Sequence, residues 1–378
     1  MHLSSRIVLL APITAVIAGP VSSAGTGHSA RWNSPDWRLT APPWLNDLAL
    51  RAGKLWFGTA SDIPGPELQN ADYMTILQDR NIFGQLTPAN SMKFEFTEPQ
   101  PGVYNYTPGD VILDIAETHG QYVTCDNLVW VSEVSEWVLD GNWTAETLTQ
   151  VMKEHIFHVI THWGDRCHGW EVVNEPLAAN GSFAPSIWYD VIGPEYFFLA
   201  FQFAQEAVEQ TGQNINLFFN DYNIEYPNPK TTAAYELVKE LKRRGLRIDS
   251  VGLESHFIVG ETPTLEQQIE AKQGFLDLGV GVAITELDIR FTSAPFYTAA
   301  GEAQQAQDYY NSVASCVQVG PGCFGITVWD FDDEYSWVPS AFPGEGGADL
   351  FNATLQRKPA YYASAEALQG IPCSVCST

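Results

Sequence analysis

The chain has 378 residues, 45% of them hydrophobic, enough for one large domain or two small ones with an ample core. Asp and Glu number 45 against 19 Lys and Arg, and the net charge of -26 repels nucleic-acid phosphates and anionic membrane surfaces, which argues against both as partners. The 12 Trp residues offer flat apolar faces with a polar edge, a surface on which a sugar ring stacks, although core packing draws on the same side chains.

The first element in chain order is a targeting segment. "MHLSSR" carries a positive charge, "IVLLAPITAVIAG" is an apolar run shorter than the ~20 residues that span a bilayer, and "SSA" ending at Ala24 offers small residues for cleavage. Residues 1–24 therefore read as a secretory signal, 25–43 as an N-terminal segment, 44–370 as one folded domain and 371–378 as a tail. Secretion fits four sequons, at Asn105, Asn142, Asn180 and Asn352, the expected glycosylation positions. It also fits six cysteines, which favour disulfides in an oxidising space. Cys316 and Cys323 flank a short turn and are expected to pair. Cys373 and Cys376 are a structural pair or have partners elsewhere, and Cys125 and Cys167 cannot be assigned from spacing.

Eight short apolar runs follow, expected as strands over 55–60, 83–90, 121–126, 169–175, 216–221, 250–256, 281–288 and 324–330. Helical patterns lie between them. "TAETLTQVMKEHIFHVITHW" has apolar residues at helical spacing, two further segments stop at Gly212 and Gly245, and Thr264 with Gln267 forms a capping-box pattern. Eight strand–helix repeats in about 300 residues is the count of a single-domain (β/α)8 barrel. A doubly wound open sheet is the alternative, but "GTASDIPGPELQ" after the first strand is no phosphate-binding turn.

In a barrel, chemistry gathers where strands end. The ends here are polar: Asn90 and Lys93 after the second, Asp126 at the third, Asn174 and Glu175 at the fourth, Glu254 and His256 at the sixth, Glu286 and Asp288 at the seventh, Trp329 and Asp330 at the eighth. Glu175 and Glu286 would face one another across the barrel mouth. Hydrolysis of a glycosidic bond needs such a pair, one protonated to release the leaving oxygen and one ionised to attack. Asn174 can donate to a sugar hydroxyl, and His256 can hydrogen-bond the nucleophile. The bland alternative is a pair of ion-paired rim residues. His155, His158 and His162 share a helix without an H-E-x-x-H pattern, so no metal is expected, and no G-x-S-x-G supports a serine hydrolase.

These motifs resemble glycoside hydrolase family 10, the family of retaining endo-β-1,4-xylanases. The resemblance runs from about residue 44 to 370 and rests on "NSMKFEFTEPQPGVYNY", "NLVW", "WEVVNEP", "ITELDI" and "VWDFDDEYSW", in that order. It implies Glu175 as acid/base, Glu286 as nucleophile, Trp329 and Trp337 as sugar platforms, Asn90 and Lys93 as contacts to the glycone, Trp130 as a wall of the site and Asn174 as partner of the 2-hydroxyl. It implies no cofactor and a carbohydrate or glycoside substrate; with the signal segment, a secreted monomer is expected.

The chain departs from the family where the bound sugar is read. Ala89 stands where the family usually has Glu, Asp126 and Val131 where it has His, and Glu133 and Glu254 where it has Gln. Three readings follow: a xylanase with tolerated variation, a hydrolase of tomatinase type acting on a plant saponin, or a non-catalytic sugar binder. The acids at 126, 133 and 254 would suit a cationic aglycone.

Overall fold

The computed structural model describes residues 43–377, so the expected signal and nearly all of the N-terminal segment lie outside the described residues. Nine strands run in parallel: β1 (Trp56–Ser61), β2 (Gln85–Pro88), β3 (Tyr122–Cys125), β4 (Gly169–Asn174), β5 (Asn216–Asp221), β6 (Ser250–Leu253), β7 (His256–Ile258), β8 (Gly281–Arg290) and β9 (Cys323–Val328). β1 pairs with both β2 and β9, and β6 pairs with both β5 and β8, so the sheet closes on itself. β6 and β7 are two halves of one stave, which makes an eight-stave (β/α)8 barrel and excludes the open sheet.

The strands are buried on both faces, as parallel strands under a helical layer must be. All six residues of β4 are buried. The helix Ala145–Trp163 outside it starts from a capping box at Thr144 and buries Leu148, Met152, Ile156, Val159, Ile160 and Trp163 along one stripe. Trp163 meets Trp170 of β4 with ring centroids 5.9 Å apart. The helix Glu195–Thr211 stops at Gly212, whose left-handed φ of 70° suits glycine. The helix Leu265–Asp277 begins at the Thr264–Gln267 capping box.

Two boundaries differ from the sequence reading in ways that matter for the site. The second strand ends at Pro88, so Ala89 and Asn90 belong to the turn beyond it. The sixth does not run unbroken to His256: it stops at Leu253, and Ser255 takes a left-handed φ of 66° before β7 resumes against the upper half of β8. Period-two patterning carries no signal for such a break.

Three disulfides are present: Cys125–Cys167, Cys316–Cys323 and Cys373–Cys376. The first joins the end of β3 to the residues just before β4 and closes a 42-residue separation, a constraint of about 2–4 kcal/mol on the unfolded chain. The tail is tied down as well: Tyr310 donates to the Ile371 carbonyl at 3.0 Å, and the Ser374 amide donates to Glu366 at 2.6 Å. Asn105, Asn142 and Asn180 are exposed, and Asn352 is half-buried.

Candidate active site

The C-terminal ends of the staves surround a cleft of about 1080 Å³. Four non-glycine residues just beyond strand ends adopt left-handed φ: Glu175 (49°), Asn223 (56°), Ser255 (66°) and Asp330 (61°). Each such conformation costs roughly 1–2 kcal/mol for an L-residue. The turn at Glu175 ends the buried wall of β4 at Asn174, and the amide of Glu175 then bonds to the Asn220 carbonyl at 2.9 Å. Both Glu175 and Glu286 line the cleft.

Glu286, on β8, is gripped on both oxygens. Asn220 donates to Oε1 at 2.6 Å, and His256 Nε2 bonds Oε2 at 3.1 Å. His256 is oriented in turn by Asp288, whose Oδ2 meets Nδ1 at 2.8 Å and also accepts the Trp337 indole N–H at 2.7 Å. Burial alone would lower the His256 pKa, but the adjacent Asp288 and Glu286 outweigh it and raise it to about 10, so the ring is a cation at neutral pH and donates from both nitrogens.

Glu175 is in the opposite situation. Burial pushes its pKa up, and the negative charge of Glu286 pushes in the same direction. One carboxyl therefore tends to keep its proton while the other sits among donors that suit an anion. That is a division of labour between general acid and nucleophile.

Asn220 is the residue the sequence reading missed. It is fully buried at the end of β5, its Nδ2 also lies 3.3 Å from Glu254 and from Asn174, and Thr285 donates to its Oδ1 at 2.6 Å. Gly252 makes the room: a Cβ there would lie 2.2 Å from Asn220 Oδ1. The signal was available, because "NLFFND" ends in polar residues like its neighbours, but the charge at that end is carried by Asp221 and not by Asn220.

The opposite wall comes from the segments after β2 and β3. Lys93 donates to Asn90 at 2.8 Å and to Glu133 at 3.3 Å, and its ammonium lies 4.5 Å from the centre of the Trp130 ring. Burial works against its charge, but Asp126, Glu133 and Glu286 together raise its pKa. Asn90 is steadied by Asp62 at 3.0 Å, and Trp188 donates to the Trp130 carbonyl at 2.9 Å. Asp126 is buried, its Oδ1 has no protein partner, and burial pushes its pKa up to about 8 against the pull of Lys93. Trp329 packs with Ala60, Ala89 and the half-buried Trp337, so the alanine at 89 extends an apolar floor. Every site residue expected from sequence thus borders the same cleft: Asn90, Lys93, Asp126, Trp130, Glu133, Asn174, Glu175, Glu254, His256, Glu286, Trp329 and Trp337.

Glu254, His256 and Glu286 present ligand-type atoms within 4.8 Å of one another, a spacing that could hold a metal ion. Both ring nitrogens of His256 already meet carboxylates, however. The three helix histidines stay apart from the cleft: His155 is buried against Glu98 at 3.0 Å, and His158 and His162 stack on Tyr104 and Tyr106.

A buried carboxyl whose proton is favoured, opposite a carboxyl gripped by two donors over one cleft of a (β/α)8 barrel, is the arrangement of a glycoside hydrolase. The chain belongs to glycosyl hydrolase family 10, whose family model matches residues 45–367. It is 45% identical over 325 residues to endo-1,4-beta-xylanase D of Talaromyces funiculosus, covering 86% of this chain and 77% of that protein. The solved structure of an endo-1,4-beta-xylanase of Penicillium canescens superposes with a TM-score of 0.87 at 57% identity, covering 88% of this chain and 99% of that one. The xylanase of Bispora sp. MEY-1, solved with xylobiose, superposes with a TM-score of 0.83 at 49% identity, covering 86% and 99%.

Proposed function

We propose that the chain is a secreted, retaining endo-1,4-β-xylanase. The observation that carries the reading is the clamping of Glu286 by Asn220 and His256 opposite a Glu175 whose proton is favoured by burial and by Glu286 itself. Glu286 attacks the anomeric carbon while Glu175 protonates the departing oxygen, giving a covalent glycosyl-enzyme. Glu175, now a carboxylate, takes a proton from water, and that water releases the sugar with retained configuration. Asn174 accepts from Asn220 through its Oδ1, which leaves its NH₂ for the sugar 2-hydroxyl. Trp329 and Trp337 supply stacking faces, and Lys93, Asn90 and Glu133 supply polar contacts to the glycone. Four sequons, three disulfides and the absence, among the described residues, of any helix able to cross a membrane suit an extracellular enzyme.

The saponin reading drew on three acids replacing neutral or basic groups. Burial favours the neutral form of two of them, Asp126 and Glu254, which weakens the charge complementarity offered to a cationic aglycone. Xylan is therefore the substrate we assign. The test is hydrolysis of β-1,4-xylan, xylo-oligosaccharides and a steroidal glycoalkaloid, with the anomeric form of the first product read by NMR. Xylan cleavage with a β-product, lost by about 10⁴-fold or more in Glu286→Ala, is expected. Cleavage of the glycoalkaloid alone would overturn the substrate, and binding without turnover would overturn the enzyme.

A further inference from the structure

Glu254 occupies an unusual place beside the nucleophile. It is 1% exposed, it sits in the break of the sixth stave, and its carbonyl accepts the backbone N–H of Glu286 at 3.0 Å. Its carboxyl shares both donors that fix Glu286. Asn220 Nδ2 lies 2.6 Å from Glu286 Oε1 and 3.3 Å from Glu254 Oε1. His256 Nε2 lies 3.1 Å from Glu286 Oε2 and 3.7 Å from Glu254 Oε2. Asn174 Oδ1 also draws on Asn220, at 3.3 Å. The amide carries two hydrogens and the imidazole nitrogen one, so three hydrogens face five acceptor oxygens.

Two buried carboxylates cannot both be anions on that supply. A proton on Glu254 relieves the deficit, since it turns one acceptor into a donor and removes a charge. The wider surroundings act the same way. Burial and the charge of Glu286 favour the neutral acid, Glu175, Asp221 and Glu171 push the same way when ionised, and the Tyr222 ring beside it supplies no positive charge. Of the cations nearby, Lys230 is engaged with Asp221 at 2.6 Å, and His256 lies closer to Asp288 and Glu286, at 2.8 and 3.1 Å, than to Glu254, at 3.7 Å.

We propose that Glu254 is a positioning residue that works as an uncharged acid, and that its ionisation disables the nucleophile by drawing Asn220 and His256 away from Glu286. The proposal rests on Glu286 being the nucleophile. It also explains how an acid can stand where an amide would serve: protonated, it has the same shape and no charge.

The experiment isolates the nucleophilic step. A 2,4-dinitrophenyl 2-deoxy-2-fluoro-β-xylobioside needs no proton on its leaving group, so its covalent labelling of the protein does not depend on Glu175 as acid. Labelling rates are measured from about pH 5 to 10 for the wild type, Glu254→Gln and Glu175→Gln, and the labelled residue is mapped by mass spectrometry. The wild type and Glu175→Gln should lose rate together on the alkaline side, by about 10-fold or more, while Glu254→Gln keeps its rate to higher pH. Superimposed profiles for wild type and Glu254→Gln overturn the proposal alone. Should Glu254→Gln fail to fold, loss of the alkaline fall in Glu175→Gln overturns it instead. Labelling of a residue other than Glu286 overturns the nucleophile assignment and this proposal with it.

Discussion

The two walls of the cleft are built on different principles. On the nucleophile side, formed by β5, β7 and β8, the polar atoms that meet Glu286 are bonded in a chain: Thr285 to Asn220, Asn220 to Glu286, Glu286 to His256, His256 to Asp288, Asp288 to Trp337. On the facing side, after β2 and β3, Lys93 bridges Asn90 and Glu133, but Asp126, which lines the cleft, has a buried Oδ1 without a protein partner, whereas the unpaired atom of the nucleophile side is Oδ1 of Asp288, a residue that does not line the cleft. A buried polar atom without a partner is costly, so it is best placed where a substrate or water can satisfy it. The first wall is organised in advance for one reaction step, and the second is left open for recognition.

That contrast breaks most sharply at Asn220. Asn220→Ala removes the shortest hydrogen bond to Glu286 and leaves Glu254, Glu286 and Asn174 short of donors. We expect kcat and kcat/KM to fall together by about 10²–10³-fold, as on loss of a preorganised donor. Steady-state kinetics on xylohexaose checks this, with circular dichroism to establish folding. A rise in KM with kcat unchanged would place Asn220 on the recognition side and erase the distinction.

How much of this was legible in the sequence follows the same division. Glu175 and Glu286 were legible because each is a charged residue after a run of buried wall, where an idle carboxylate is costly. Asn220 was not, because an amide at a strand end raises no such conflict and its importance depends on Gly252 across the sheet. The stave break at Glu254–Ser255 needs a left-handed serine, which no local preference announces. Glu171 passed as barrel wall in "WEVV", since strands buried on both faces give no alternation to betray an inward acid. The pairing of Cys125 with Cys167 is set by β3 lying beside β4, a tertiary fact. The acids at 126 and 254 were read by sequence as charges that would suit a cationic aglycone, whereas burial favours their neutral forms, and burial is a tertiary fact.

The recognition wall should respond differently and more mildly. Lys93→Met removes the ammonium over Trp130 and the donor to Asn90 and Glu133, and with it the proposed contact to the glycone. We expect kcat/KM on short xylo-oligosaccharides to fall by about 10–100-fold, chiefly through KM, with less effect on a long chain that spreads its contacts over more of the cleft. An equal fall in kcat on both would mean that Lys93 belongs to the catalytic wall.

The smallest effect separates stability from activity. A carboxyl whose folded pKa lies above its ordinary value stabilises the fold fully below the ordinary value, and loses that contribution as pH rises through the folded value. Asp332 is raised to about 6 and Asp126 to about 8, both from 3.8, in each case chiefly by burial, so both contributions fade between about pH 4 and 8. The lysines shifted the other way, Lys54 and Lys272, are lowered to about 8 and change the balance only above that pH. The Tm should therefore be highest near pH 4–5 and fall toward pH 8, where self-repulsion of the net negative chain adds to the loss. Asp126→Asn keeps the shape and removes the titration. It should leave the Tm near pH 4 little changed and raise it at pH 8 by roughly 2–5 °C, measured by calorimetry. A parallel offset at every pH would mean that the substitution acts through packing. A lower Tm at pH 8 would mean that the Asp126 anion, paired with Lys93, holds this wall together, and that the recognition side is as tightly bonded as the nucleophile side.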